Sequence, residues 1–153
     1  MKTGDYVIRL EDLRNTDVEL VGGKNASLGE MLSQLRGAGV KVPDGFATTV
    51  DAFQDFLKSN GLKEKIDLKL RELDISDLSE LARTGAQIRE WIMEARFSDK
   101  LMFEIDAAYT HLIEKEGKQS SYAVRSSATA EDLPDASFAG QQESFLNIKG
   151  LDN

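Results

Sequence analysis

The sequence predicts an α+β fold in which a helical subdomain is followed by a strand–loop–strand segment. Apolar residues recur at helical spacing through most of the chain, and after Gly117 the pattern changes to short extended runs. The 153 residues suit one domain, and 41% apolar with 30% charged residues is the composition of a globular protein. This composition excludes a disordered chain and a coiled coil.

The first helical pattern lies near the start of the chain. From Asn25 to Leu35 the apolar residues fall on one helical face, and they are Leu28, Met31, Leu32 and Leu35. Gly37 is expected to end this helix. Directly upstream, Gly22-Gly23-Lys24 supplies a flexible helix start whose backbone can approach a ligand closely, beside the positive end of the helix dipole. A cation and an anion-attracting helix end therefore coincide.

The middle of the chain, about residues 50–117, is expected to be helical. Turn residues precede an extended run, Phe46–Thr49, and Thr49 is a suitable N-cap for the helix that follows. Helical spacing then continues until two extended runs, Tyr122–Val124 and Ser144–Ile148, predict strands. Two strands make no stable sheet alone, so they need partners from the early extended segments or from sequence beyond this chain.

The loop between these two strands is the strongest local feature. Arg125 stands at the edge of the first strand, and the segment from Ser126 to Gln142 is rich in small residues and hydroxyls. Backbone N–H groups of such a loop can bind phosphate oxygens, and an arginine can add a bidentate contact. On composition alone, the alternative is an ordinary surface loop in which Arg125 pairs with Glu131 or Asp132.

Lys24 also has two interpretations. As a solvated lysine, its charge opposes the helix dipole by about 0.3–1 kcal/mol. A bound anion reverses that sign, because a phosphate charge about 4 Å away is worth about 4 kcal/mol before desolvation at an effective dielectric constant near 20. The segment is not a Walker A loop, since Asn25 follows the lysine where that motif has Ser or Thr.

Charge and composition exclude several classes of function. The net charge is −8 and no basic stripe is present, so nucleic-acid binding is not expected. The absence of cysteine excludes disulfides, thiolate metal sites and thiol nucleophiles, and it favours the cytoplasm. No apolar run approaches the length of a membrane span, so membrane association is not expected.

The remaining candidates for chemistry are interpreted as structural or solvated residues. His111, the only histidine, has no flanking motif that marks it as a base, so it is assigned no role. The loop carboxylates show no metal-ligand spacing. Trp91, Met93 and Phe97 are expected to pack in the core and not to stack on a nucleotide base.

Three motifs together resemble the phosphoenolpyruvate synthase family. They are VGGKNASLGEM at 21–31, VPDGF at 42–46 and RSSATAEDLPDASFAGQQ at 125–142. The alternatives are the nucleotide-binding lobe of a related pyruvate phosphate dikinase or rifampicin phosphotransferase, and a non-catalytic nucleotide-binding module. A purely helical interaction protein leaves the first and third motifs unexplained.

The resemblance implies the first lobe of an ATP-grasp-like domain with a small, mostly antiparallel sheet. Residues 1–153 are then the N-terminal portion of the ATP-binding domain, with a helical insertion at about 50–117 and a strand–loop–strand segment at about 121–149. By resemblance, Lys24 and Arg125 reach the ATP phosphates. The loop that closes over the phosphates comprises Ser137, Phe138, Ala139, Gly140 and Gln141.

The resemblance also implies an activity for the longer enzyme. Family members make phosphoenolpyruvate from pyruvate, ATP and water in gluconeogenesis, releasing AMP and phosphate through a phosphohistidine. The magnesium ligands, the phosphohistidine domain and the pyruvate-binding barrel are expected outside residues 1–153 and are its partners. The chain alone therefore has no assigned catalytic or metal-binding residue and is expected to be inactive. An exposed lobe surface is expected to promote self-association, such as a homodimer.

Overall fold

The computed structural model describes residues 4–40, 42–117, 120–129 and 143–151. These residues form an α+β structure, as predicted. The helices are α1 (Val18–Val21), α2 (Gly23–Arg36), α3 (Val50–Ser59), α4 (Leu62–Arg71), α5 (Leu78–Glu94) and α6 (Asp99–Glu116). The strands are β1 (Val7–Arg9), β2 (Phe46–Thr48), β3 (Tyr122–Arg125) and β4 (Ser144–Ile148). Two short 3₁₀ turns, Leu10–Asp12 and Asn15–Asp17, precede α1.

The strands form two separate antiparallel pairs. In the first pair Ile8 of β1 lies opposite Ala47 of β2, and in the second Arg125 of β3 lies opposite Ser144 of β4. Among the described residues the early strands do not pair with the late ones, so of the two expected partners for β3 and β4 only sequence beyond this chain stays a prediction. Ala47 is buried in the core beside α2. Its burial holds β2 against the core, where β2 pairs with β1.

The described residues fall into two compact units. The first contains the residues up to Ala52 and those from Lys100 onward, and the second is Phe53–Asp99. In the first unit, the buried core comprises Leu10, Leu13, Val21, Ala26, Leu32 and Ala47. None of the helices in the described part of the chain has both the length and the apolar character needed to cross a membrane.

Helix α2 packs closely against the residues of the first 3₁₀ turn at a glycine, Gly29. An ideal Cβ placed on Gly29 would lie 2.5 Å from the Cβ of Leu13 and 2.7 Å from the carbonyl oxygen of Leu10. The fully buried positions of α2 are Ala26, Gly29 and Leu32, while Met31 is 44% exposed. The apolar face of α2 is therefore only partly covered, because the closest packing is at two small residues, Ala26 and Gly29.

Helix ends in both units follow the capping residues in the sequence. In the first unit, the hydroxyl of Thr49 accepts a hydrogen bond from the backbone N–H of Ala52 at 3.2 Å, as expected of an N-cap. In the second unit, the Asp77 carboxylate accepts from the N–H groups of Ser79 and Glu80, which starts α5.

The aromatic and sulfur side chains around the end of α5 were expected to pack in the core, and two of them do not. Met93 is 84% exposed and Phe97 is 53% exposed. Trp91 is half-buried, and the ammonium of Lys65 lies 3.8 Å from its ring centroid. The expected core packing is therefore wrong for Met93 and Phe97, since helical spacing alone does not fix which face of a helix is covered.

Asp44 anchors the turn before β2 to two helices. Its carboxylate forms ion pairs with Lys115 of α6 and with Arg36 of α2, and it accepts a 2.9 Å hydrogen bond from the N–H of Gly45. Burial alone would raise the pKa of Asp44, but the Lys115 hydrogen bond, the Gly45 N–H and the two cationic charges outweigh it. The pKa of Asp44 therefore lies below its ordinary value.

Acid is expected to weaken this anchor. Because the folded-state pKa of Asp44 is lowered, the stability it contributes is present above its unfolded pKa of about 3.9 and is lost as pH falls through the folded value. We expect Asp44→Asn to lower the free energy of unfolding at pH 7 by about 1–3 kcal/mol. Urea unfolding at pH 7 and pH 3 should show a smaller pH effect in this variant than in the parent chain.

The control for this prediction is Asp67→Asn, at an exposed position on α4. It should leave the difference in stability between pH 7 and pH 3 close to that of the parent. If Asp44→Asn unfolds with the same pH dependence as the parent, the ion pairs of Asp44 do not contribute to acid sensitivity.

Candidate functional site

The site begins at the sharp connection between α1 and α2. Gly22 is the N-cap of α2 and has φ 83° and ψ 158°, a conformation that only glycine adopts readily. An ideal Cβ on Gly22 would lie 2.3 Å from Ser127 Oγ and 3.0 Å from the backbone N of Ala128. Glycine is therefore required here both for the backbone angle and for the close approach of another segment.

That second segment follows β3 directly. The carbonyl oxygen of Ala128 accepts a 3.4 Å hydrogen bond from the N–H of Gly23, the first residue of α2. The carbonyl oxygen of Ser126 accepts a 3.2 Å hydrogen bond from Lys24 Nζ, across 102 positions of sequence. The start of α2 and the end of β3 therefore meet in one place within the first unit.

Two of the predicted site residues belong to these two segments. Lys24 is half-buried in the first turn of α2, and its ammonium lies beside the residue that directly follows Arg125. Arg125 ends β3 and is exposed. The predicted loop residues, Ser137, Phe138, Ala139, Gly140 and Gln141, lie outside the described residues.

Ser127 was not among the predicted site residues. The Gly22-Gly23 backbone, which is predicted to approach a ligand, packs against Ser127 and Ala128. The signal was present, because paired glycines before a helix and a run of small residues after a strand both permit backbones to pack closely. Neither pattern says which partner each segment meets.

The charges of the site suit an anion. Within the described chain, the first turn of α2 contains no acidic residue and Gly22 supplies no capping side chain, so neither position places a negative charge at the positive end of the helix dipole. Lys24 adds a full positive charge there, and Arg125 lies one residue from the carbonyl that Lys24 contacts. Together these groups can bind an oxyanion.

The same groups do not suit a divalent metal ion. In the ranges that the structure describes, no three or more His, Cys, Asp or Glu side chains are grouped so as to hold one. Cations and helix N–H groups repel a metal, and magnesium takes oxygen ligands.

Comparison with known proteins identifies the family. A family model described as pyruvate phosphate dikinase, AMP/ATP-binding domain, matches residues 18–153. The chain belongs to this family. Both segments of the candidate site, at Gly22–Lys24 and Arg125–Ala128, lie within the match.

Several curated members of the family carry the name phosphoenolpyruvate synthase. Those of Neisseria meningitidis and Pseudomonas aeruginosa are 61% and 59% identical to the chain, each over 97% of its length. That of Escherichia coli is 53% identical over 95%. The resemblance stated from the three motifs is therefore confirmed. The chain spans only 18–19% of the length of these three relatives.

Proposed function

We propose that the chain is the N-terminal ATP-binding part of a phosphoenolpyruvate synthase and that its site binds the nucleotide phosphates. The observation that carries the proposal is the hydrogen bond from Lys24 Nζ to the Ser126 carbonyl oxygen at 3.2 Å. It joins the first and third motifs of the sequence, which are the parts richest in phosphate-binding chemistry. The AMP/ATP-binding family supports a nucleotide as the anion.

The arrangement explains how a polyphosphate would be held. A phosphate oxygen can take the place of the Ser126 carbonyl opposite the ammonium of Lys24, and bonds between charged groups are shorter and stronger than those to a neutral carbonyl. The N–H groups at the start of α2 supply a second contact in a helix of 14 residues. The guanidinium of Arg125 supplies a third contact, and the loop of residues 137–141 closes over the bound phosphates.

The proposal extends to the longer enzyme. Residues 1–153 form the first lobe of an ATP-grasp-like domain, with the helical insertion at about 50–117 and the strand–loop–strand segment at about 121–149. Magnesium is held by a second lobe, and phosphoryl transfer to pyruvate with ATP and water uses a phosphohistidine domain and a pyruvate-binding barrel. The enzyme works in the cytoplasm, in gluconeogenesis, and this lobe can self-associate as a homodimer when isolated.

Loss of either cation is expected to weaken nucleotide binding. A hydrogen bond to a charged group is worth about 1.5–3 kcal/mol, so Lys24→Ala and Arg125→Ala should each raise the Kd for ATP by about tenfold to a hundredfold. Isothermal titration calorimetry with ATP on the complete gene product measures this. Lys63→Ala, at an exposed position on α4, is the matched control and should bind ATP like the parent.

The comparison with adenosine separates a phosphate contact from a general loss of folding. Adenosine lacks phosphates, so its affinity should be unchanged in Lys24→Ala and Arg125→Ala if both residues contact phosphates. Equal losses for ATP and adenosine would show a damaged fold instead. Unchanged ATP binding in both variants would remove this site from the proposed function.

A further inference from the structure

Ser127 contains a buried polar atom, the oxygen of its hydroxyl group. Its Oγ is inaccessible to solvent and has no hydrogen-bond partner among the described residues. A hydroxyl can donate one hydrogen bond and accept others, and burying it without a partner is unfavourable. Such an atom in a folded protein calls for an explanation.

The position of this hydroxyl indicates what its partner is. Ser127 Oγ packs against Gly22, the N-cap of α2, at the place where a Cβ on that glycine would stand. The preceding residue, Ser126, holds the ammonium of Lys24, and Arg125 comes just before it. The hydroxyl therefore lies at the start of α2, on the segment that follows Arg125 and whose carbonyl binds the ammonium of Lys24, and these groups favour an anion.

The two hydrogen bonds that join the segment of Ser127 to α2 are weak. The Gly23–Ala128 hydrogen bond is 3.4 Å long, beyond the usual range for N–H donors, and the Lys24–Ser126 bond is exposed. Both acceptors are neutral carbonyl oxygens. Because anionic oxygens accept stronger hydrogen bonds than carbonyls, a phosphate oxygen can take the place of either carbonyl while Ser127 stays beside the start of α2.

We infer that Ser127 is a further ligand of the nucleotide phosphates, donating a hydrogen bond from its hydroxyl to a phosphate oxygen at the start of α2. The inference rests on the proposed function and adds a residue to the same site. The hydroxyl proton stays on Ser127, and no covalent bond forms or breaks.

The experiment compares Ser127→Ala with the parent in the complete gene product. Removing a hydroxyl that has no hydrogen-bond partner among the described residues should leave the thermal midpoint unchanged or higher. Losing a hydrogen bond to a charged phosphate should raise the Kd for ATP by about tenfold. The affinity for adenosine should not change. Ser127→Thr, which keeps the hydroxyl, should recover most of the ATP affinity.

Ser121→Ala is the matched control, because Ser121 is an exposed serine just before β3. It should match the parent in ATP affinity and in thermal midpoint. The inference is overturned if Ser127→Ala binds ATP like the parent. It is also overturned if that variant loses ATP and adenosine affinity equally with a lower thermal midpoint, which is the result of a purely structural serine.

The Lys24→Ala variant shows whether this inference fails alone or together with the proposed function. If Lys24→Ala weakens ATP binding and Ser127→Ala does not, the phosphate site stands and Ser127 is not part of it. If the parent protein binds no ATP, or Lys24→Ala and Arg125→Ala both bind it normally, the proposed function fails and the inference fails with it.

Discussion

Replacing Gly29 with alanine is expected to destabilise the chain by about 3 kcal/mol or more, the upper range for overpacking a well-filled core. The added Cβ would lie 2.5 Å from the Cβ of Leu13 and 2.7 Å from the carbonyl oxygens of Leu10 and Leu13. Backbone atoms cannot rotate away as a long side chain can. The change should therefore push α2 off the 3₁₀ turns, and chemical unfolding of residues 1–153 measures the loss.

The same substitution in α5 provides a control of opposite sign. A Cβ on Gly85 would meet only Arg89 Nη1, at 3.4 Å, which is the far end of a flexible side chain. Replacing glycine with alanine inside a helix favours folding by about 0.5–1 kcal/mol, so Gly85→Ala should be neutral or stabilising. Equal effects of the two variants would show that the close packing at Gly29 does not hold α2 in place.

Gly22→Ala is expected to damage both stability and the candidate site. Alanine is strained at φ 83° and ψ 158°, and its Cβ would overlap Ser127 Oγ at 2.3 Å. Together the strain and the overlap should lower the free energy of unfolding by about 2–5 kcal/mol. Because the overlap separates the start of α2 from the segment after β3, ATP affinity in the complete gene product should fall as well.

Gly61→Ala separates the strain from the overlap. Gly61 also has a positive φ, 62°, but nothing lies within 4 Å of the position of its Cβ. Gly61→Ala should lower the free energy of unfolding by only about 1–2 kcal/mol, which is the cost of a left-handed backbone for a residue with a Cβ. This variant should bind ATP like the parent. If Gly22→Ala is no worse than Gly61→Ala in stability and in ATP binding, the contact with Ser127 has no structural or functional role.

Much of the secondary structure could be predicted because its signals are local. The spacing of Leu28, Met31, Leu32 and Leu35 predicted the helix observed as α2, and the run Ser144–Ile148 predicted β4. Thr49 was expected to cap α3, and its hydroxyl does so. In each case the information lies within a few residues, since helix and strand periods and capping hydrogen bonds are short-range.

Packing across the sequence was predicted less well. The pairing of β2 with β1 depends on which surface buries Ala47, and the exposure of Met31 depends on how closely Gly29 lets α2 approach Leu13. The exposed positions of Met93 and Phe97 likewise depend on which helix faces are covered. Hydrophobic burial has no direction of its own, so a periodic pattern identifies a face and leaves its partner open.

The sequence by itself determined the α+β class, a helix that starts beside Lys24, a strand that ends beside Arg125, and the resemblance that the family match confirms. Only the tertiary structure decided that the start of α2 and the segment after β3 meet, and that Ser127 of that segment packs against Gly22. The physical reason is distance along the chain. Local torsions and periods are encoded within a few residues, whereas a contact across 102 positions is selected by the packing of the folded unit.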